Sequence, residues 1–144
     1  CKYQDENYWS HSVNSPVYNA WSGFAFEMLC LNHVPQIKAA LKIEGVQTSV
    51  YCWRTPAQAE RGAQIDLLID RADHCVNLCE MKFCRGKYTI TKAEREKIEN
   101  RMQSFIAYSK TKSSIRLTMI TSFGVEKNTN SSIIQNELTL EDLF

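Results

Sequence analysis

The chain has 144 residues, 44% hydrophobic and 23% charged, with a formal net charge of +1. That length and balance fit one globular domain with a single core and argue against a disordered or fibrous chain. No apolar run approaches the roughly 18 residues that span a bilayer, and the polar start Cys1-Lys2-Tyr3-Gln4-Asp5-Glu6 is neither a signal nor a transit peptide. Charge is unevenly placed: from Lys82 to Arg116 there are ten Lys and Arg against three Glu, a net of +7, which leaves −6 elsewhere. A basic segment beside acidic residues suits a polyanion held over a cation, and it equally suits a solvated Lys/Glu helix face.

Residues 1–14 are polar and aromatic without a period and read as a lead-in or linker, with Tyr8 and Trp9 able to dock on the body. A start without Met points to a missing upstream part. The domain proper is read as 15–144. Ser15-Pro16 is a helix start, an N-cap serine followed by proline in the first turn. Val17, Ala20, Trp21, Phe24, Met28 and Leu31 then recur at helical spacing and predict a buried stripe. Glu27 falls on that stripe, where a carboxylate faces the core rather than water. Pro35 opens a second helix, from Gln36 to about Lys42, closed near Gly45. Gln47 to Arg54 suits a strand, and Thr55 to Arg61 a loop.

The most informative stretch runs from Gly62 to Lys82. Two apolar segments, Gln64–Asp70 and Cys75–Lys82, flank a polar turn at 71–74 and predict a hairpin. Residues two apart on a strand share a face, so Glu80 is expected beside Lys82, and Asp66 beside Asp70 and Gln64. Pairing about the turn brings Asp66 near Glu80 or Lys82. Charges on a buried sheet cost several kcal/mol (roughly) per ion unless paired or metal-bound. Two readings follow: a structural ion pair at the sheet edge, or a site in which carboxylates hold Mg²⁺ and a lysine acts beside it.

Beyond the hairpin, Phe83–Tyr88 is a basic connection, and Gly86-Lys87 lacks the remainder of a phosphate-binding P-loop. Thr91 and Glu94 form a predicted capping box for a helix that runs to about Tyr108, with Ile98, Met102, Phe105 and Ile106 buried and Lys92, Arg95, Lys97 and Arg101 elsewhere. Ile115–Thr121 alternates as a strand, and Ile133-Ile134 and Leu138–Leu140 are short apolar pieces. The cysteines show no C-x-x-C spacing and read as reduced thiols of a cytoplasmic protein, without zinc or disulfides.

Ile65-Asp66, a turn and Glu80-Met81-Lys82 at the end of an apolar strand resemble the core motif of the PD-(D/E)XK, or restriction-endonuclease-like, nuclease superfamily. The order helix, strand, strand, strand, helix, strand over 16–121 is similar to its core order. The resemblance implies an α/β fold with a central mixed sheet flanked by helices. It also implies Mg²⁺ (or Mn²⁺) held by Asp66 and Glu80, with Glu27 of the first helix near the metal. Lys82 would position or deprotonate the attacking water and stabilise charge at phosphorus, and Gln64 would orient substrate. DNA is the implied partner, its phosphates held by Arg85, Lys87, Lys92 and Arg95. Trp21-Ser22-Gly23-Phe24-Ala25-Phe26-Glu27, Gly62-Ala63-Gln64-Ile65-Asp66, Cys79-Glu80-Met81-Lys82 and Leu140-Glu141-Asp142-Leu143-Phe144 further resemble the C-terminal nuclease-like domain of prokaryotic AAA-type ATPases. That likeness implies an ATPase domain in the same full-length chain, since no Walker motif occurs here. The Gln-x-x-x-Tyr of exonuclease-type relatives is absent, Gln103 and Tyr108 being five apart. Two functions follow: a metal-dependent deoxyribonuclease, and a catalytically weak nucleic-acid-binding or protein-interaction module of an ATPase.

Overall fold

The computed structural model describes residues 15–144, so the readings for the first fourteen lie outside it. Helix α1 (Pro16–Leu31) and a short α2 (Val34–Ala40) precede strands β1 (Thr48–Arg54), β2 (Gln64–Arg71) and β3 (Cys75–Lys82). Helix α3 (Lys92–Ser109), strand β4 (Ser114–Thr121) and strand β5 (Asn136–Thr139) follow, with a 3₁₀ turn at Leu140–Leu143. The strands form one mixed sheet in the order β1-β2-β3-β4-β5, antiparallel from β1 to β3 and parallel from β3 to β5. The expected order of core elements is present, extended by β5 at the far edge.

The central strands are apolar towards both sides, as a sheet covered by helices on both faces requires. On one face Leu68, Leu78, Leu117 and Met119 pack with Ile98 and Phe105 of α3. On the other, Leu67, Ile69, Cys79 and Ile120 pack with Phe26 and Cys30 of α1 and Ile37 of α2. Parallel β3 and β4 cannot be joined by a tight turn, and α3 supplies the long crossover. Among the described residues no helix is long and apolar enough to cross a membrane.

Helix α1 starts as expected: Ser15 caps it by accepting from the Tyr18 amide at 3.1 Å. Its buried face is not the expected one. Phe26 is 4% exposed and Cys30 is fully buried, whereas Val17, Trp21 and Phe24 are 79%, 64% and 63% exposed. The helix carries apolar residues nearly all round, so periodicity alone could not choose between Ser22-Phe26-Cys30 and the outer stripe. Similarly, Ile106 of α3 is exposed, and the buried turns of that helix are carried by Ile98 and Phe105.

Two caps also differ from expectation. Thr91 accepts from the Glu94 amide at 3.2 Å, but the Glu94 carboxylate turns to the Tyr88 hydroxyl rather than completing a capping box. Helix α2 closes at Lys42, not near Gly45: Lys42 takes a left-handed conformation with φ of 60°. A side chain there is disfavoured. Lys42→Gly should therefore stabilise the protein by about 0.5–1 kcal/mol, read as a higher urea midpoint at unchanged slope.

The five cysteines among the described residues are free thiols. Cys30 and Cys79 are buried, and burial pushes the Cys30 thiol up to about 12, so both act as small apolar side chains. Cys52, by contrast, is exposed on β1.

Candidate functional site

Strands β2 and β3 pair from Arg71–Cys75 up to Leu67–Cys79. Past that rung, Ile65 and Gln64 of β2 pair only with β1, opposite Trp53 and Arg54, while Glu80 and Lys82 of β3 pair only with β4, opposite Met119 and Thr121. The two strands part here, and Asp66, Glu80 and Lys82 stand at the resulting fork. A bulge accompanies it. Tyr51 faces Leu68 and Trp53 faces Ile65, so Asp66 and Leu67 together oppose the single residue Cys52. Bulges break the alternation of side chains and re-aim them. Ile65 and Leu68 consequently share the core on the α3 side, while Leu67 lies in the core on the α1 side.

The bulge corrects one expectation. Asp70 is opposite Val76, whose side chain belongs to the α3-side core, and cross-strand partners share a face. Asp66 instead meets Glu27 of α1, so the two aspartates do not share a face. Gln64 does keep company with Asp66, its Nε2 donating to Asp66 Oδ1 at 2.8 Å. Arg54 Nη2 in turn donates to Gln64 Oε1 at 3.2 Å.

The electrostatics join the remaining members. Burial raises the Glu27 carboxyl above its ordinary range, and the negative charge of Asp66 and a hydrogen bond with it add to the effect, against the opposing pull of Lys82. Burial likewise raises Glu80; Arg101 and Lys82 counter it, and Asp66 adds to it. Arg101 Nη1 donates to Glu80 Oε1 at 3.0 Å, with both side chains largely withdrawn from water. Thus Glu27, on the α1 side, and Glu80, bonded to Arg101 on the α3 side, each sense Asp66 and the Lys82 ammonium.

Adjacent carboxyl groups with raised proton affinity are relieved by a shared proton or by a cation. Among the described residues, no three Asp, Glu, His or Cys side chains form a group that could hold a metal ion by themselves. A pair of carboxylates is nonetheless enough for Mg²⁺, which keeps several waters and takes other ligands from phosphate. The hydrogen-bonded Glu27–Asp66 pair is an oxygen-only donor set of that kind.

Raised folded-state values fix the sign of a pH effect. Between its ordinary value of 4.5 and its raised value, a carboxyl such as Glu27 or Glu80 binds more protons folded than unfolded. Stability then falls as pH rises through that window. The metal-free protein should melt lower at neutral pH than near pH 4.5 as far as these two groups decide it, and Mg²⁺ should reverse the loss; thermal melts across pH with and without the ion check this.

The residues expected to hold phosphates are dispersed. The Arg85 guanidinium lies over the Tyr18 ring, 5.8 Å from its centroid. Lys87 and Lys92 are exposed. Arg95 is engaged within the chain, with Glu99 at 2.5 Å and the Thr129 carbonyl at 3.0 Å. A different basic surface adjoins the fork. A groove of about 570 Å³ is lined on one side by Arg61, Gly62, Ala63 and Gln64, and on the other by Lys97, Asn100, Arg101, Gln103 and Ser104 of α3. Mutual hydrogen bonds between Thr55 and Ala63, with both N···O distances at 3.0 Å, fix the loop that carries the first wall. Sequence reasoning missed Arg101, although its spacing gave a signal: it lies three residues after Ile98 and four before Phe105, on the buried stripe.

No family model matches the chain, and no curated protein matches it. Among solved structures it is similar to the crystal structure of a protein of unknown function, AF1548, with a TM-score of 0.48 and 13% identity. The match covers 80% of this chain and 64% of that one, so this chain spans less than two thirds of the other's length. A likeness of that degree carries no argument about activity, and the α/β architecture rests on the five-stranded mixed sheet and its flanking helices.

Proposed function

We propose that this chain is a Mg²⁺-dependent deoxyribonuclease, hydrolysing phosphodiester bonds of DNA at the fork between β2 and β3. The observation that carries the reading is the hydrogen-bonded Glu27–Asp66 carboxyl pair, with Lys82 and Glu80 within electrostatic reach, beside a groove lined by cations and amides. A structural ion pair balances opposite charges, whereas Glu27 has a second carboxyl group, Asp66, as its hydrogen-bond partner, which adds to the effect of burial in raising its proton affinity.

In this reading Asp66 and Glu27 would hold the cation, and Glu80, now paired with Arg101, would adjust the charge around it. The ion, when bound, neutralises charge on a phosphoryl oxygen and makes water a better nucleophile at neutral pH. Gln64 fixes the Asp66 carboxylate through its 2.8 Å hydrogen bond, and Arg54 fixes Gln64. Lys82 orients the attacking water and donates to the negative charge that develops at phosphorus. The water oxygen bonds to phosphorus as the bond from phosphorus to the leaving sugar oxygen breaks. Arg61 and Lys97 hold backbone phosphates without reading bases. From the motif resemblance, an ATPase domain in the same full-length chain is the proposed covalent partner.

A second reading, a catalytically weak nucleic-acid-binding module, is favoured by one observation: Glu80 is already engaged by Arg101. Incubation with supercoiled, single-stranded, duplex and branched DNA separates the two. Cleavage that needs Mg²⁺ or Mn²⁺ and stops with chelator supports the nuclease. Retention of DNA without cleavage, in the chain alone and joined to its ATPase, supports the binding module.

A further inference from the structure

Two residues of the basic groove are tied directly to the carboxylates of the fork. Gln64, on the β2 wall, donates to Asp66, and Arg101, on the α3 wall, donates to Glu80 at 3.0 Å. The groove's other cations differ: Arg61 and Lys97 are exposed and form no ion pair among the described residues. No carboxylate lines the groove. Its walls offer cations, the Asn100 and Gln103 amides and the Ser104 hydroxyl, donor chemistry suited to a phosphate group.

Arg101 therefore faces two anions that compete for it. A guanidinium presents several N–H groups in a fixed plane and favours bidentate contact with phosphate. Glu80 holds it through a hydrogen bond from Nη1 at the groove wall. A phosphate in the groove, already drawn by Arg61 and Lys97, offers Arg101 a partner of higher charge. As Arg101 turns, Glu80 keeps only the more distant help of Lys82 against the charge of Asp66, and the added negative charge at the fork favours a cation there.

We propose that the groove is a nucleotide-phosphate subsite and that Arg101 is a positioning residue that couples it to the fork: phosphate in the groove draws Arg101 from Glu80 and strengthens divalent-cation binding. The proposal rests on the metal-site reading above, and it adds a dependence of the metal on the nucleic acid. Coupling of this kind is reciprocal, so the cation must strengthen phosphate binding by the same factor.

The test is calorimetric titration of the whole chain with Mn²⁺, with and without thymidine 3′,5′-bisphosphate, which contains no diester to cleave. In the wild type, saturating nucleotide should tighten Mn²⁺ binding about tenfold, within the usual span of coupling between sites. In Arg101→Met the nucleotide-free protein should already bind Mn²⁺ more tightly than wild type, and the nucleotide should change that affinity less than about twofold, well below such coupling. Full coupling in Arg101→Met, or wild type that binds both ligands independently, overturns the proposal while leaving the nuclease reading to the cleavage assay. Coupling without DNA cleavage upholds the subsite and removes the nuclease. Wild type that binds no Mn²⁺ removes both. A second measurement needs no variant: in arginine-labelled wild type, the Arg101 Nε–H resonance should move on adding the nucleotide alone, and an unmoved resonance also overturns the proposal.

Discussion

Lys82→Ala is expected to lower metal-dependent DNA cleavage by about 10²–10³-fold, the usual cost of losing one preorganised contact to a developing charge. Lys82 ends β3, opposite Thr121, and its ammonium opposes the raised proton affinity of both Glu27 and Glu80. It thus lies within electrostatic reach of two groups from different elements. Removing it leaves all three carboxyl groups in place. It takes away a competing positive charge and also makes the carboxyl groups easier to protonate, effects that oppose each other in metal affinity. Single-turnover cleavage should therefore collapse while Mn²⁺ titration changes little. Cleavage at the wild-type rate in this variant would mean that Lys82 has no part in the chemistry.

Asp66→Ala should act on binding instead. Asp66 is the member that both Glu27 and Glu80 sense, so its loss removes a ligand and a charge that, after burial, adds to the raised proton affinity of Glu27. Metal affinity should fall by at least about 10–100-fold, since even supporting residues of a metal site cost that much. The metal-free protein should at the same time become more stable at neutral pH, because Glu27 no longer ionises beside a second carboxylate. Opposite movements of metal affinity and metal-free stability mark a crowded carboxylate site; a structural ion pair would lose stability when cut. Calorimetry and thermal melts on the same preparation read both. Lys82→Ala and Asp66→Ala should thus differ in titration even where both look inactive on a gel.

Much of the fold was legible because local signals agreed with one another. Ser15-Pro16 marks the start of α1, the polar turn between two apolar runs marks the β2–β3 hairpin, and Thr91 marks the start of α3. Where the signals were redundant, they misled. Helix α1 is apolar on more than one side, and the sheet beneath it, not the period, selects Phe26 and Cys30 over Trp21 and Phe24. The left-handed Lys42 shows a helix end fixed by its surroundings rather than by the nearby glycine.

The candidate site was legible as residue types and only partly as geometry. Glu27, Asp66, Glu80 and Lys82 stand out as charges inside apolar segments. Their relation depends on a bulge opposite Cys52 and on the end of the β2–β3 ladder at Leu67–Cys79, and neither has a signature in one sequence. The groove was harder still, since its walls come from residues 61–64 and 97–104, which are joined only through the fold. Counting charge marked the segment from Lys82 to Arg116 as basic, but which cations of α3 line the groove follows from how Ile98 and Phe105 seat the helix.

The central claim is that the fork holds a divalent cation for phosphodiester hydrolysis. Anomalous diffraction from a crystal of this chain soaked in Mn²⁺ tests it most directly. The account predicts one strong anomalous peak per chain at the mouth of the β2–β3 fork, touching the carboxylates of Asp66 and Glu27. A peak elsewhere, or none while Asp66 keeps its contact with Glu27, would contradict it.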